Sequence, residues 1–317
     1  MSDLIEFNCS GEGLTKLVIN DYSVGVINCR TNDIKRLPAS LSLLHCLIKL
    51  DISDNDISSM DLQNDSIEYL NCKKNNIRQI LKLPRMLKRF DCSDNPLVIL
   101  PVVMPLGLIK FKANKCRLPM LPILPVDIEI IQSKCNYLTV CPQLIQLSSL
   151  VYINLANNQI REISELPAGI KVINMENNLL EKFPKMPPGT LEVYISNNHI
   201  TSVGSINKEL LVFKCDNNRL TRLPFIGLDF KIKCLHCENN NIEVLHIMKD
   251  ILDLRIRGNP KLELLYTYTK IDFIDNGVIF GNIYQSNIQN VNRIREIYYT
   301  MVIQKRILKR KQMLSEG

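Results

Sequence analysis

Along most of this chain, apolar residues come in pairs spaced by two, and an asparagine follows three residues after the second of each pair. The stretch from Ile170 to Pro188 is a clear instance, with Ile173 and Met175 as the pair, Asn178 behind them, and Leu180 and Phe183 beyond. The asparagine position recurs at Asn32, Asn55, Asn75, Asn95, Asn136, Asn158, Asn178, Asn198, Asn218, Asn240 and Asn259, with Glu12 and Cys116 in the same register. Successive positions are 19 to 23 residues apart, which gives thirteen units. A fixed period of this size is the mark of a stacked repeat architecture.

Two apolar residues spaced by two form the inward face of a short strand, because side chains alternate across a strand. The first of each pair includes Phe7, Ile27, Leu50, Phe90, Ile153 and Phe213, and the second includes Cys9, Cys29, Cys72, Cys92, Cys215 and Cys237. The asparagine stands where the chain turns away, and its amide can satisfy backbone groups that the turn leaves unpaired inside the coil. Cys116 departs from this rule and marks an altered turn, whereas Glu12 lies in the first, capping unit. Each return is short and proline-bearing, as at Leu37-Pro38, Leu100-Pro101, Leu121-Pro122, Phe183-Pro184 and Leu223-Pro224. Proline fixes φ and lacks an N–H, so the outer side is expected to be extended or 3-10 in conformation. The predicted fold is an α/β solenoid whose inner parallel sheet has about 13 strands and spans roughly 60 Å at the parallel-strand spacing.

The pattern in Leu166–Val203, LPAGIKVINMENNLLEKFPKMPPGTLEVYISNNHITSV, resembles the leucine-rich repeat family, and within it the short class of roughly twenty residues. That class is similar to the repeats of secreted effectors from enteric bacteria. The longer unit Leu147–Ile163, LSSLVYINLANNQIREI, resembles the twenty-two-residue class of intracellular scaffolds and phosphatase regulators. The resemblance covers about residues 4–265 and implies a non-enzymatic protein-binding module; it assigns no binding residue, since such positions vary with the partner. Residues 266–317 are expected to form a C-terminal cap with a basic amphipathic helix starting near Ser286, with Ile288, Val291, Ile294 and Ile297 at helical spacing. The effectors often carry a large ubiquitin-ligase domain after their repeats, and the remaining residues are too few for one.

The net charge is +7, and Asn290 to Gly317 holds seven Lys/Arg against Glu296 and Glu316, so the body is nearly neutral and the tail basic. No apolar run approaches the ~20 residues that span a bilayer. Asp3 and Glu6 stand where a signal peptide would be basic and then apolar. The eleven cysteines are therefore expected as free thiols in a reducing, cytoplasmic setting (the host cytoplasm for a pathogen's protein), and the chain as a monomer. Usage rich in Asn, Ile and Lys would suit an AT-rich genome, of a pathogen or a large DNA virus.

Candidate chemistry is sparse. Cys234-Leu-His236-Cys237 has the spacing of a metal or redox motif, but on a strand Cys234 and Cys237 point to opposite faces. No metal site, cofactor, catalytic triad or phosphate-binding glycine loop is expected, and the reading is not an enzyme. The open side of the sheet, at six, four, two and one residues before each asparagine position, is free of core constraint. In units four to seven it carries seven cations, among them Lys73, Arg89, Lys110, Lys112 and Lys134, against Asp91 and Asp94. Units eight to twelve are neutral to acidic and carry Tyr152 and Tyr194; Tyr69 lies at the edge of the basic part.

The leading expectation is protein binding on the concave face, with Tyr69, Tyr152 and Tyr194 as anchors and Lys73, Arg89, Lys110, Lys112 and Lys134 steering an acidic patch of the partner. The alternative is a nucleic-acid-associated protein that uses the basic patch of repeats 4–7 and the basic tail. The tail, Lys305 to Lys311, leaves three readings open: the solvated face of a capping helix, a nuclear-localisation or nucleic-acid patch, or contact with acidic lipid.

Overall fold

The computed structural model describes residues 4–227, 229–247, 251–260, 262, 264–267 and 274–275. The helical cap expected over 266–317 lies almost wholly outside them. Thirteen strands of three residues, from Glu6–Asn8 to Asp253–Arg255, form one parallel sheet, and Ile274–Asp275 adds a fourteenth. Consecutive inner strands are neighbours in strict register: Ile153 stands opposite Ile173, and Ile173 opposite Val193. A one-residue slip would turn every inward side chain to solvent, so the alternation itself sets the register.

The middle residue of each inner strand from the second onward is buried, including Ile27, Leu50, Leu70, Ile131 and Leu235. So are the residues two positions later, including Cys29, Ile52, Cys72, Cys92, Met175, Cys215 and Cys237. Because equivalent positions stack, like meets like: the Phe90 and Phe111 rings lie stacked with centroids 6.0 Å apart. The inward cysteines pack as small hydrophobes, and burial pushes the Cys29 thiol up to about 12. All eleven cysteines are free.

The asparagines do what their position predicts. Asn178 Nδ2 donates to the carbonyls of Leu155 at 3.0 Å, Met175 at 3.1 Å and Glu176 at 3.3 Å. Its Oδ1 accepts from the Ile160 N–H at 3.0 Å. One buried amide thus ties its own turn to the preceding unit, and the arrangement repeats from Asn32 to Asn259. At Cys116 the donor role survives only as long sulfur contacts, 3.4 Å to the Cys92 carbonyl and 3.6 Å to that of Asn114. By register the Leu97 N–H would donate here, and it has no hydrogen-bond partner among the described residues.

The residue before each asparagine adopts the left-handed conformation. Thr31, Asp54, Lys74, Asp94, Lys115, Cys135, Asn157, Asn177, Asn197, Asn217 and Asn239 have φ between 50° and 59°, and Gly258 has 71°. That column, expected to be unconstrained, is constrained by the backbone, because a side chain at positive φ crowds its own carbonyl. The turn at Cys116 keeps this conformation at Lys115, so its alteration lies in hydrogen bonding and leaves the left-handed turn in place.

Unit length bears on the outer side without fixing it, since the 22-residue unit from Asn218 to Asn240 has no 3-10 segment among its described residues. The two 3-10 segments, Ala39–Leu43 and Leu144–Gln146, fall in units of 23 and 22 residues. A 3-10 turn rises about 2 Å per residue against about 3.3 Å for extended chain, so it takes up the extra residues without lengthening the return. The 20-residue units stay extended, with short outer pairs such as Lys182–Phe183 beside Ser202–Val203. No α-helix occurs among the described residues.

Candidate functional site

On the open face of the sheet, the first and third residues of each strand form two columns that run across the units. Tyr69, Arg89 and Lys110 are consecutive in the first column, followed by Ile130 and then Tyr152. Lys112 and, four strands further on, Tyr194 lie in the second column. Lys73 and Lys134 occupy the turn just past their strands. An open concavity of about 300 Å³ brings together Lys73, Lys112, Lys134 and Tyr152, with Asp91 and Asp94 in its lining. Tyr69, Arg89, Lys110 and Tyr194 do not line it.

The acids matter. Asp94 stands 3.5 Å from Lys73 and 3.7 Å from Lys115, Asp91 is 3.9 Å from Lys112, and Asp54 is 3.8 Å from Lys74. Four of the seven cations therefore lie beside three carboxylates, with Asp94 shared between Lys73 and Lys115. Arg89, Lys110 and Lys134 have no ion-pair partner among the described residues. Two of the three tyrosines are also engaged: Lys49 Nζ lies 5.4 Å from the Tyr69 ring centre, and Lys214 Nζ 5.7 Å from that of Tyr194. The Tyr194 hydroxyl donates to Glu192 Oε2 at 2.8 Å. Burial first, then that hydrogen bond and the carboxylate's charge, push its pKa up.

A second group lies toward the other end of the sheet; it contains Cys234 and His236 of the motif noted in the sequence, joined by Asp253 and Arg255, which the sequence reading did not connect with them. Cys234 and His236 are two apart on one strand and so share its open face, while Cys237 is buried in the core as expected. The next strand places Asp253 directly beside Cys234 and Arg255 beside His236. His236 Nε2 is 2.6 Å from Asp253 Oδ2 and 3.3 Å from Cys234 Sγ. Arg255 Nε donates to the other carboxylate oxygen, Oδ1, at 3.2 Å. Burial works to raise the Asp253 carboxyl, but the hydrogen bond and charge of His236, followed by those of Arg255, hold it below the usual range. Burial, then the charge of Asp253, raises the Cys234 thiol. The missing signal was register: Cys234 and Asp253 each stand six residues before an asparagine, Asn240 and Asn259.

No helix is long and apolar enough to cross a membrane among the described residues. No protein-family model matches the chain, and no curated protein matches it in sequence. Solved structures do match in fold. YopM, a leucine-rich effector protein from Yersinia pestis, is 22% identical with a TM-score of 0.59, over 85% of this chain and 87% of that one. The Leptospira interrogans LRR protein LIC12759 is 16% identical with a TM-score of 0.60, over 86% and 80%. The leucine-rich repeat component FLRT2 of a complex with Latrophilin 3 and Unc5D matches with a TM-score of 0.62 at 19% identity, over 76% and 83%. The fold of this chain is the leucine-rich repeat solenoid.

Proposed function

We propose that this protein is a non-enzymatic interaction module that takes a protein partner on the open, concave face of its sheet, over units four to eight. The observation that carries the reading is the adjacency of Arg89 and Lys110, cross-strand neighbours in one column and both without an ion-pair partner among the described residues. Like charges directly opposite on a sheet destabilise it by a few tenths of a kcal/mol or more. The two are therefore better explained by an external acid than by the fold. Lys134 extends the same field, and Tyr152 offers an aromatic surface beside it. Lys73 and Lys112, already shared with Asp94 and Asp91, contribute less to steering than their position in sequence suggested. Similar folds act by association, as in the FLRT2 complex with Latrophilin 3 and Unc5D, and a leucine-rich repeat solenoid offers its sheet face as a binding platform.

The nucleic-acid reading is weaker for a physical reason. Asp91 and Asp94 sit inside the basic concavity, where a phosphate backbone would meet them at close range. The test is capture from nuclease-treated lysate with wild type and with Arg89→Glu/Lys110→Glu, followed by direct binding to the purified captured protein. We expect the double reversal to fold normally and to weaken binding at least about tenfold, with a shallower salt dependence. Unchanged binding by the folded variant would remove these residues from the site. Loss of all captured material on nuclease treatment would instead promote the nucleic-acid reading.

A further inference from the structure

Cys234, His236 and Asp253 aim three metal-ligating atoms at one point on the open face of the sheet. Their side chains come from two adjacent strands: residues two apart on the first supply a sulfur and an imidazole, and the residue in register on the second supplies a carboxylate. Sγ, Nε2 and Oδ2 form a triangle with sides of 3.3, 2.6 and 3.8 Å. The three atoms lie within 4.8 Å of one another.

Hydrogen bonding can serve the three groups only through a single oxygen, with His236 Nε2–H and the Cys234 thiol both donating to Asp253 Oδ2, at 2.6 and 3.8 Å. Nε2 has a single site in the ring plane, a proton or a lone pair, yet both Sγ and Oδ2 crowd that one atom. If Nε2–H donates to Asp253, the thiol is left the long contact to the same oxygen, at 3.8 Å, while its sulfur lies 3.3 Å from Nε2 with no bond between them. If it accepts from the thiol, it stands lone pair to lone pair against the carboxylate. A cation at the centre satisfies all three at once. Tetrahedral zinc, with ligands at about 2.0–2.3 Å, holds its ligand atoms roughly 3.3–3.7 Å apart. The Nε2–Sγ and Sγ–Oδ2 separations are already close to this, and Nε2–Oδ2 must open by about 0.7 Å or slightly more. Arg255 Nε donates to Oδ1 at 3.2 Å, which leaves Oδ2 turned toward the histidine.

We propose that Cys234 Sγ, His236 Nε2 and Asp253 Oδ2 bind one divalent transition-metal ion of the zinc class. A thiolate, an imidazole and one carboxylate select zinc, or cobalt in its place, over magnesium and calcium, which want oxygen ligands. Three protein ligands leave a fourth position for water or an incoming donor atom, as in open zinc sites. The site stands on its own geometry, whatever partner the basic half takes.

Cobalt(II) is the probe. Titrated into the chelator-stripped, reduced full chain, it is expected to bind at one equivalent, with a sulfur-to-cobalt charge-transfer band and the visible absorption of tetrahedral cobalt; zinc should displace it and magnesium should not. Cys234→Ser should abolish the charge-transfer band, and Asp253→Asn should weaken binding at least about tenfold. Cys46→Ser, which removes an exposed thiol elsewhere, should leave both untouched. Thermal unfolding of the variants without metal separates loss of the site from loss of the fold. The proposal fails if the folded wild type binds no stoichiometric cobalt. It also fails if the band survives Cys234→Ser or follows Cys46 instead.

Discussion

The two halves of this solenoid share one backbone plan and treat it differently. Across the left-handed turn column, the first half carries Thr31, Asp54, Lys74, Asp94, Lys115 and Cys135; the second carries Asn157, Asn177, Asn197, Asn217, Asn239 and Gly258. Asparagine and glycine tolerate positive φ, whereas threonine, lysine and cysteine are strained there. In the second half the turn asparagines also link to one another: Asn217 Nδ2 donates to Asn197 Oδ1 at 2.8 Å, and Asn239 Nδ2 to Asn217 Oδ1 at 2.9 Å. The first half also contains the interrupted slot at Cys116 and the adjacent cations Arg89 and Lys110. Local rules are thus broken together, in the half that carries the charge. Such clustering of unfavourable choices is what a binding surface tends to show, because residues chosen for a partner are not chosen for the fold.

The comparison is broken hardest by removing a buried amide from the regular half. Asn178→Ala would leave the buried Ile160 N–H without a partner, while the Leu155, Met175 and Glu176 carbonyls keep Asn158 Nδ2, Asn198 Nδ2 and the Asn157 N–H. We expect a loss of about 1–3 kcal/mol, the cost of one buried donor left without a partner. Urea unfolding followed by circular dichroism and by a probe in each half would read it. In a solenoid coupled only between neighbours, the second half should then melt first. Coincident melting of both halves at the wild-type midpoint would mean that the amide network contributes little.

The opposite repair belongs to the first half. Cys116→Asn would supply an acceptor for the Leu97 N–H and would replace the 3.4 Å sulfur contact to the Cys92 carbonyl, which already accepts from Asn95 Nδ2 at 3.0 Å, with an amide donor. A gain of about 1–2 kcal/mol is expected, read as a higher urea midpoint with an unchanged slope. No gain would show that the backbone around Cys116 has already relaxed around the smaller side chain.

These effects separate what the sequence could say from what it could not. Strand faces and the amide slots were legible because each depends on spacing along one strand: Ile173 and Met175 must point inward together, and Asn178 must follow. The turn column before the slot was also written in the sequence, at Asn177, Asn197, Asn217, Asn239 and Gly258. Its meaning was hidden by the lysines and aspartates that fill it in the first half. Pairings across strands were harder, because they join residues about twenty apart. The compensation of Lys73 by Asp94 and of Lys112 by Asp91, and the meeting of Asp253 with Cys234, need the register applied column by column. Spacing shows which face a side chain takes, whereas register shows which neighbour it meets.

The smallest expected effect tests the strain itself. Thr31 and Asn177 are both exposed, both stand directly before a slot asparagine, and both have left-handed φ, 58° and 54°. Exchanging their identities leaves the core untouched and changes only how well the side chain tolerates the turn. Thr31→Asn should raise stability by about 0.5–1 kcal/mol, because a β-branched residue at positive φ is an outlier and asparagine is not. Thr31 also contributes a long contact, 3.4 Å from Oγ1 to Asp54 Oδ2, whose exposed position makes its loss minor. Asn177→Thr should lower stability by at least as much. Opposite signs of similar size would establish that the first half carries backbone strain the second half avoids. Two changes of the same sign would mean that the turns differ in their neighbours, and the contrast between the halves would then rest on charge alone.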